Sequence, residues 1–175
     1  GWDLGYASPP LIHLFEKITD KNASILIPAC GNAYEAEYLA QHGFTNITLL
    51  DISPTVAALM KARLSELKSI KVICQDFFEH EQQYDYIIEQ TFFCALNPSM
   101  RDRYVKQMSS LLKPSGTLLG VLFNRAFEKE GPPFGGTVKE YKQLFNSRFD
   151  VDFSESLHSI DGRKGFEVLL EATKS

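Results

Sequence analysis

Short unbroken apolar runs alternate along this chain with sets of apolar residues spaced three and four apart, the pattern of strands followed by helices. Ile25 to Ile27 is the first run, and it breaks at Pro28-Ala29-Cys30-Gly31-Asn32-Ala33 into Tyr34 to Ala40, which has helical character. Ile47 to Leu50 is the second run, closed by Asp51. Ser53-Pro54 then offers a hydroxyl cap and a proline at the first helical position, and Val56, Leu59, Met60, Leu64 and Leu67 recur at helical spacing. Strands follow at Ile70 to Cys74 and Tyr84 to Ile88. Asn97-Pro98 opens a helix with an inner face of Met100, Tyr104, Val105, Met108, Leu111 and Leu112 that stops at Lys113-Pro114-Ser115-Gly116. Gly116 to Phe123 is the most hydrophobic stretch, and its continuous apolar character places it in mid-sheet, covered on both faces. Thr137 and Glu140 make a capping box for a helix bearing Val138, Tyr141, Leu144 and Phe145. Phe149 to Ser156 and Gly165 to Ala172 close the chain as strands, linked by the turn-like Asp161-Gly162-Arg163; so short a link predicts an antiparallel hairpin. The sum is an α/β fold: a doubly wound, seven-stranded, mostly parallel sheet with helices on both faces and a C-terminal antiparallel hairpin.

At 175 residues, 44% of them hydrophobic, the chain is expected to form one domain over 1–175 that buries roughly two thirds of its unfolded surface. The net charge is −4 and Lys and Arg are spread along the chain, so the electrostatic footprint of a nucleic-acid binder is missing. No apolar run approaches the length needed to cross a bilayer. The expected partner is a small molecule met in the cytoplasm, not a nucleic acid or a membrane. Cys30, Cys74 and Cys94 lie far apart with no histidine at metal spacing, so they read as free thiols in packed positions, and no metal site is assigned. The chain opens at Gly1, and a segment that folds over the site is expected to be incomplete.

The stretch from Ile25 to Asp51 has the layout of a βαβ unit that holds a nucleoside. Small residues let the backbone approach a ligand, and an acid about 20 residues after Gly31 accepts from ribose hydroxyls. An adenosine-containing cofactor follows from that spacing, while its identity stays open. Phe92 and Phe93 follow the fourth strand, where ligands collect outside an open sheet, and one of them is expected in the core. Arg125, after the central strand, is a candidate for meeting an anionic substrate, and Phe134 sits in a Gly-Pro loop able to wall a site. His13 falls on an early helix, His42 suits a helix C-terminus, and His80 and His158 stand in polar surroundings and are expected to face solvent. A nicotinamide-dependent oxidoreductase shares the βαβ fingerprint, but its second half is another parallel unit, whereas this chain ends in a hairpin.

Trp2-Asp3-Leu4-Gly5, Pro28-Ala29-Cys30-Gly31, Asp51-Ile52-Ser53, Asp76-Phe77-Phe78, Thr91-Phe92-Phe93-Cys94-Ala95-Leu96, Leu112-Lys113-Pro114 and Gly131-Pro132-Pro133-Phe134 occur in that order over the whole chain. In this order and spacing the chain resembles the class I S-adenosylmethionine-dependent methyltransferases, and within them the thiopurine S-methyltransferase family with its halide and thiol branch. The resemblance implies a Rossmann-like fold and S-adenosyl-L-methionine as cofactor. It implies that Pro28, Ala29 and Gly31 lie under the methionine part, Asp51 at the ribose, Asp76 and Phe77 at the adenine, and Glu89 and Gln90 beside the methionyl group, with Ile52 also in the cofactor site. Trp2 would belong to an N-terminal cover. Phe92, Phe93, Arg125 and Phe134 remain, by their positions in the chain, the candidates for the substrate side. Many class I enzymes carry glycine where this chain has Ala29 and Ala33, which leaves a non-catalytic domain of the same fold as a further reading. Methyl transfer from a sulfonium needs alignment and exclusion of water more than it needs a base. A thiol or another soft nucleophile is therefore the preferred acceptor, and no catalytic residue is assigned.

Overall fold

A computed structural model describes residues 3–175; the expectation for Trp2 lies outside the described residues. The elements run α1 (Pro9–Phe15), β1 (Ile25–Pro28), α2 (Tyr34–Gln41), β2 (Ile47–Asp51), α3 (Pro54–Arg63), β3 (Ile70–Cys74), β4 (Tyr84–Gln90), α4 (Arg101–Ser110), β5 (Leu112–Phe123), α5 (Val138–Phe145), β6 (Phe149–Glu155) and β7 (Glu167–Lys174). The strands form one seven-stranded sheet in the order β3-β2-β1-β4-β5-β7-β6. Strands β1 to β5 pair in parallel, while β7 runs antiparallel to both β5 and β6. The chain order reverses between β1 and β4, and an open α/β sheet splits there to admit a ligand at its carboxyl edge.

Because strands in the middle of the sheet are covered on both faces, neighbouring side chains go to opposite layers. Ile25, Ile27, Leu49, Ile88, Leu119, Val121 and Leu169 pack with Leu11, Leu14, Ala36, Leu39 and Met60 of α1, α2 and α3. Leu26, Leu50, Ile87, Leu118, Leu122 and Leu170 pack with Tyr104, Val105, Met108, Tyr141 and Phe145 of α4 and α5.

Several boundaries differ from the sequence reading, two of them for a clear local reason. Leu112, expected as the last inner position of a helix, opens β5 and pairs with Tyr84. The Lys113-Pro114-Ser115-Gly116 stop signal is a genuine break, but the strand absorbs it: the register shifts between Tyr84 and Tyr86, and Ser115 takes φ 64°. Strand β7 begins at Glu167 and not at Gly165, because Asp161–Arg163 forms a 3₁₀ turn that uses up more of the link. The caps are where the sequence puts them. Ser53 Oγ accepts from the Val56 amide at 3.2 Å, and Thr137 Oγ1 from the Glu140 amide at 3.3 Å. Ser53→Ala is expected to cost about 1 kcal/mol, seen as a lower urea midpoint with unchanged slope.

Candidate active site

After β1 the backbone turns through Ala29 (φ 50°), Gly31 (51°) and Ala33 (54°). A left-handed backbone costs an alanine about 1 kcal/mol and glycine nothing, strain of the kind retained where a ligand meets main chain. Ala29 and Ala33 thus hold the path that glycines would take, with added strain. A Cβ built on Gly31 meets no heavy atom within 4 Å, so the turn faces open space. Asp51 stands at the end of β2 beside this turn, where the Gly31 amide donates to its Oδ2 at 3.4 Å and the Ser53 amide to its Oδ1 at 3.0 Å. Ala33 gives α2 no side-chain cap, which leaves the helix N-terminus, a place that favours negative charge, uncovered at the turn.

An open cleft of about 200 Å³ lies over the turn, lined by Asp3, Leu4, Tyr6, residues 29–35, Gln90 and Thr91 among others. The N-terminal segment folds back across it. Asp3 Oδ2 accepts from the Asn32 side-chain amide at 2.5 Å and Oδ1 from the Gly5 amide at 2.8 Å. Glu35 accepts from the Ser8 amide at 3.1 Å, and burial raises its pKa. Arg63 donates to the Asn32 carbonyl and to Glu37, fastening α3 to the turn. Asn32, Glu35 and Arg63 are not singled out in the sequence, since polar residues near a helix end carry no mark of what they face. Burial and the nearby Asp51 push the Cys30 thiol up to about 12, so it stays protonated. Open space over Gly31, an uncapped helix start and a carboxylate at the end of β2 together fit the carboxylate, backbone approach and hydroxyls of an adenosyl amino acid.

The remaining candidates separate. Gln90 lines the cleft, whereas Glu89 has no exposed surface. Adjacent residues of a strand face opposite layers, and Glu89 points to the α4 side, where it accepts from the Phe92 amide at 3.0 Å, the Phe93 amide at 3.0 Å and the Tyr104 hydroxyl at 2.5 Å. Ile52 is 66% exposed at the rim next to Asp51. Asp76 accepts from the Phe78 amide at 2.9 Å and caps the 3₁₀ turn Phe77–Glu79. The Phe77 ring is buried, 5.0 Å from Phe92 and 6.1 Å from Tyr104.

On the substrate side, Phe93 is a core residue, edge-on to Tyr104 at 5.1 Å and Tyr141 at 5.5 Å, while Phe92 is half-buried at the edge of the same cluster. Arg125 is exposed, with its guanidinium over Phe127 at 4.9 Å and Phe166 at 4.3 Å, in a hollow that Phe123, Pro133 and Arg163 also line. The Phe134 amide donates to the Cys94 carbonyl at 2.7 Å, joining its loop to the turn after β4. His80 departs from the expectation of a solvated ring. It is buried between Gln75 Oε1 and the Tyr84 hydroxyl, each at 2.8 Å, and burial lowers its pKa.

A parallel sheet with a cleft at its switch point and a reversed penultimate strand defines the class I methyltransferase architecture. Comparison with solved structures agrees: an S-adenosylmethionine-dependent methyltransferase of Methanosarcina mazei superposes with a TM-score of 0.72 at 20% identity, covering 94% of this chain and 97% of that one. The family model for thiopurine S-methyltransferase matches residues 1–169. Among curated relatives, Probable thiol methyltransferase 2 of Arabidopsis thaliana is 33% identical over 99% of this chain and 80% of its own length. Thiocyanate methyltransferase 1 of Brassica oleracea is 30% identical over 96% and 77%. The chain belongs to the thiopurine S-methyltransferase family. It is an S-adenosylmethionine-dependent methyltransferase.

Proposed function

We propose that the enzyme moves the methyl group of S-adenosylmethionine to the sulfur of a small thiol, with halides and other soft anions as secondary acceptors. One observation carries the choice of acceptor: among the described residues the cleft is lined by no histidine or lysine, and the carboxylates on and near it already accept from donors of the chain itself. Asp51 serves the Ser53 and Gly31 amides, Asp3 serves Asn32 and Gly5, Glu35 serves Ser8, and Glu89 serves three donors on the other face. A hydroxyl or amine acceptor asks for a positioned base, and a thiolate does not. The names of the thiol and thiocyanate relatives support the same choice.

The bound cofactor supplies a sulfonium-activated methyl group with a good leaving group. In this reading the uncapped start of α2 and the turn at Gly31 hold its carboxylate, and Asp51 accepts from the ribose hydroxyls. Ile52 and the Asp76–Phe77 turn flank the adenine, and Gln90 stands beside the methionyl chain. Pro28 and Ala29 shape the floor, and the segment from Asp3 to Tyr6 keeps water from the reacting atoms. Acceptors approach from the side of Phe92, Arg125 and Phe134. The free, unpaired cysteines fit a cytoplasmic setting.

The test is a methyl-transfer screen with labelled S-adenosylmethionine, pairing hydrosulfide, benzenethiol, thiopurines and iodide against phenol and aniline. Benzenethiol is expected to exceed phenol in kcat/KM by roughly a hundredfold, since the alcohol lacks a base to activate it. Equal or faster methylation of phenol would reject the thiol assignment.

A further inference from the structure

Glu89 is a fully buried acid that the reading above leaves without a role. Its two oxygens gather three donors: Oε2 takes the Phe92 amide, and Oε1 takes the Phe93 amide and the Tyr104 hydroxyl. Those amides open the 3₁₀ turn Phe93–Ala95, directly after Gln90 and Thr91. Gln90 and Thr91 have a particular position. They line the donor cleft, and with Glu89 they also line a second, smaller cavity that reaches Cys94, Phe123 and Glu167. Thr91 holds φ 56°, a conformation that a β-branched residue keeps only when its surroundings impose it. Strand β5 makes room for the arrangement: a Cβ on Gly120 would stand 2.6 Å from the Glu89 Cβ.

We infer that Glu89 is a positioning residue for methyl transfer, its carboxylate clamping the Phe92 and Phe93 amides and the Tyr104 hydroxyl so that Gln90 and Thr91 hold a fixed place beside the path of the transferred methyl group. The inference rests on the proposed function. Alignment of the reacting atoms is what this chemistry asks of the protein, and a displacement of about 1 Å can cost two orders of magnitude in rate.

The clamp depends on charge. Burial raises the Glu89 pKa from 4.5 to about 7 against the opposing pull of its three donors, so protonation as the pH falls through that value removes the negative charge at which they point. Among the groups facing it, burial also raises Glu167 across the cavity, while two others stay neutral through this range. Tyr104 on α4 is raised well above 10 and Cys94 on the following turn to about 12, so both stay neutral. Across the cavity Glu167 lies 3.8 Å from Arg163, and Arg101 stacks on the outer side of the Phe93 ring at 4.6 Å.

The experiment compares wild type, Glu89→Gln, Glu89→Asp and Tyr104→Phe for kcat, KM and binding of S-adenosylhomocysteine between pH 5.5 and 8.5, using benzenethiol. Glu89→Gln is expected to lower kcat roughly tenfold or more at high pH while cofactor affinity stays within about threefold. The ratio of wild-type to Gln rate is expected to shrink toward one as the pH falls through about 7; the acceptor's own titration cancels in that ratio. Glu89→Asp keeps the charge and should recover part of the loss. Tyr104→Phe removes one donor and should move the midpoint to higher pH. A ratio independent of pH, or a loss seen equally in cofactor affinity, would overturn the inference. Should Glu89→Gln fail to fold, an unshifted midpoint in Tyr104→Phe overturns it as well. Wild type that binds S-adenosylhomocysteine and methylates no thiol defeats the proposed function and takes this inference with it.

Discussion

Asp51→Ala is expected to weaken binding of S-adenosylhomocysteine by more than about tenfold, because a carboxylate accepting both ribose hydroxyls makes two charge-assisted bonds of roughly 1.5 kcal/mol or more each. The residue also has a local task, accepting from the Ser53 amide at 3.0 Å at the start of α3, so some loss of stability accompanies the change. Asp51→Asn separates the two effects: the amide oxygen can keep the Ser53 bond while the charge is gone. Isothermal calorimetry on the Asn variant should therefore show weakened binding with nearly native melting. Affinity unchanged in both variants would remove Asp51 from the ribose site.

Phe93→Ala is expected to be the most damaging of the single changes to folding. The ring is 1% exposed, sits edge-on to Tyr104 and Tyr141, and lies 6.3 Å from Phe145. Its removal joins α4, α5 and the turn after β4 around a void, a change that costs about 3–5 kcal/mol in large-to-small aromatic substitutions. For a chain of this size the melting temperature should fall by roughly 10 °C or more. Phe92→Ala, at the half-buried edge of the cluster, should cost less and act on the KM for the acceptor. A Phe93→Ala protein that melts like wild type and loses only acceptor binding would return Phe93 to the substrate side.

These two aromatic neighbours show why the sequence yields the architecture more readily than the site. Strand-helix alternation, the Ser53 and Thr137 caps and the closing hairpin are local signals, and each reads out in the sheet order and cap bonds. Direction within the sheet is different. Where a strand is apolar on both faces its periodicity does not say which layer a residue enters, so Glu89 and Gln90 look alike in sequence although the pleat sends them to opposite sides. His80 has the same difficulty, since the polar stretch from Glu79 to Gln83 gives no hint that Gln75 and Tyr84 close over its ring. The stop at Lys113 to Gly116 reads as an element boundary because turn chemistry looks the same at a loop and inside a strand that absorbs it as a register shift. The turn at Ala29 to Ala33 was legible by its small residues, and its left-handed alanines became visible only in three dimensions.

The central claim is that the cleft at the carboxyl ends of β1, β2 and β4 is the seat of the methyl donor. A crystal structure of the protein with S-adenosylhomocysteine tests it most directly. The predicted result is the amino-acid end against Gly31 and the start of α2, ribose hydroxyls on Asp51 and the sulfur beside Gln90. A ligand bound elsewhere, or seated in the cleft with Asp51 out of reach of the ribose, would contradict it.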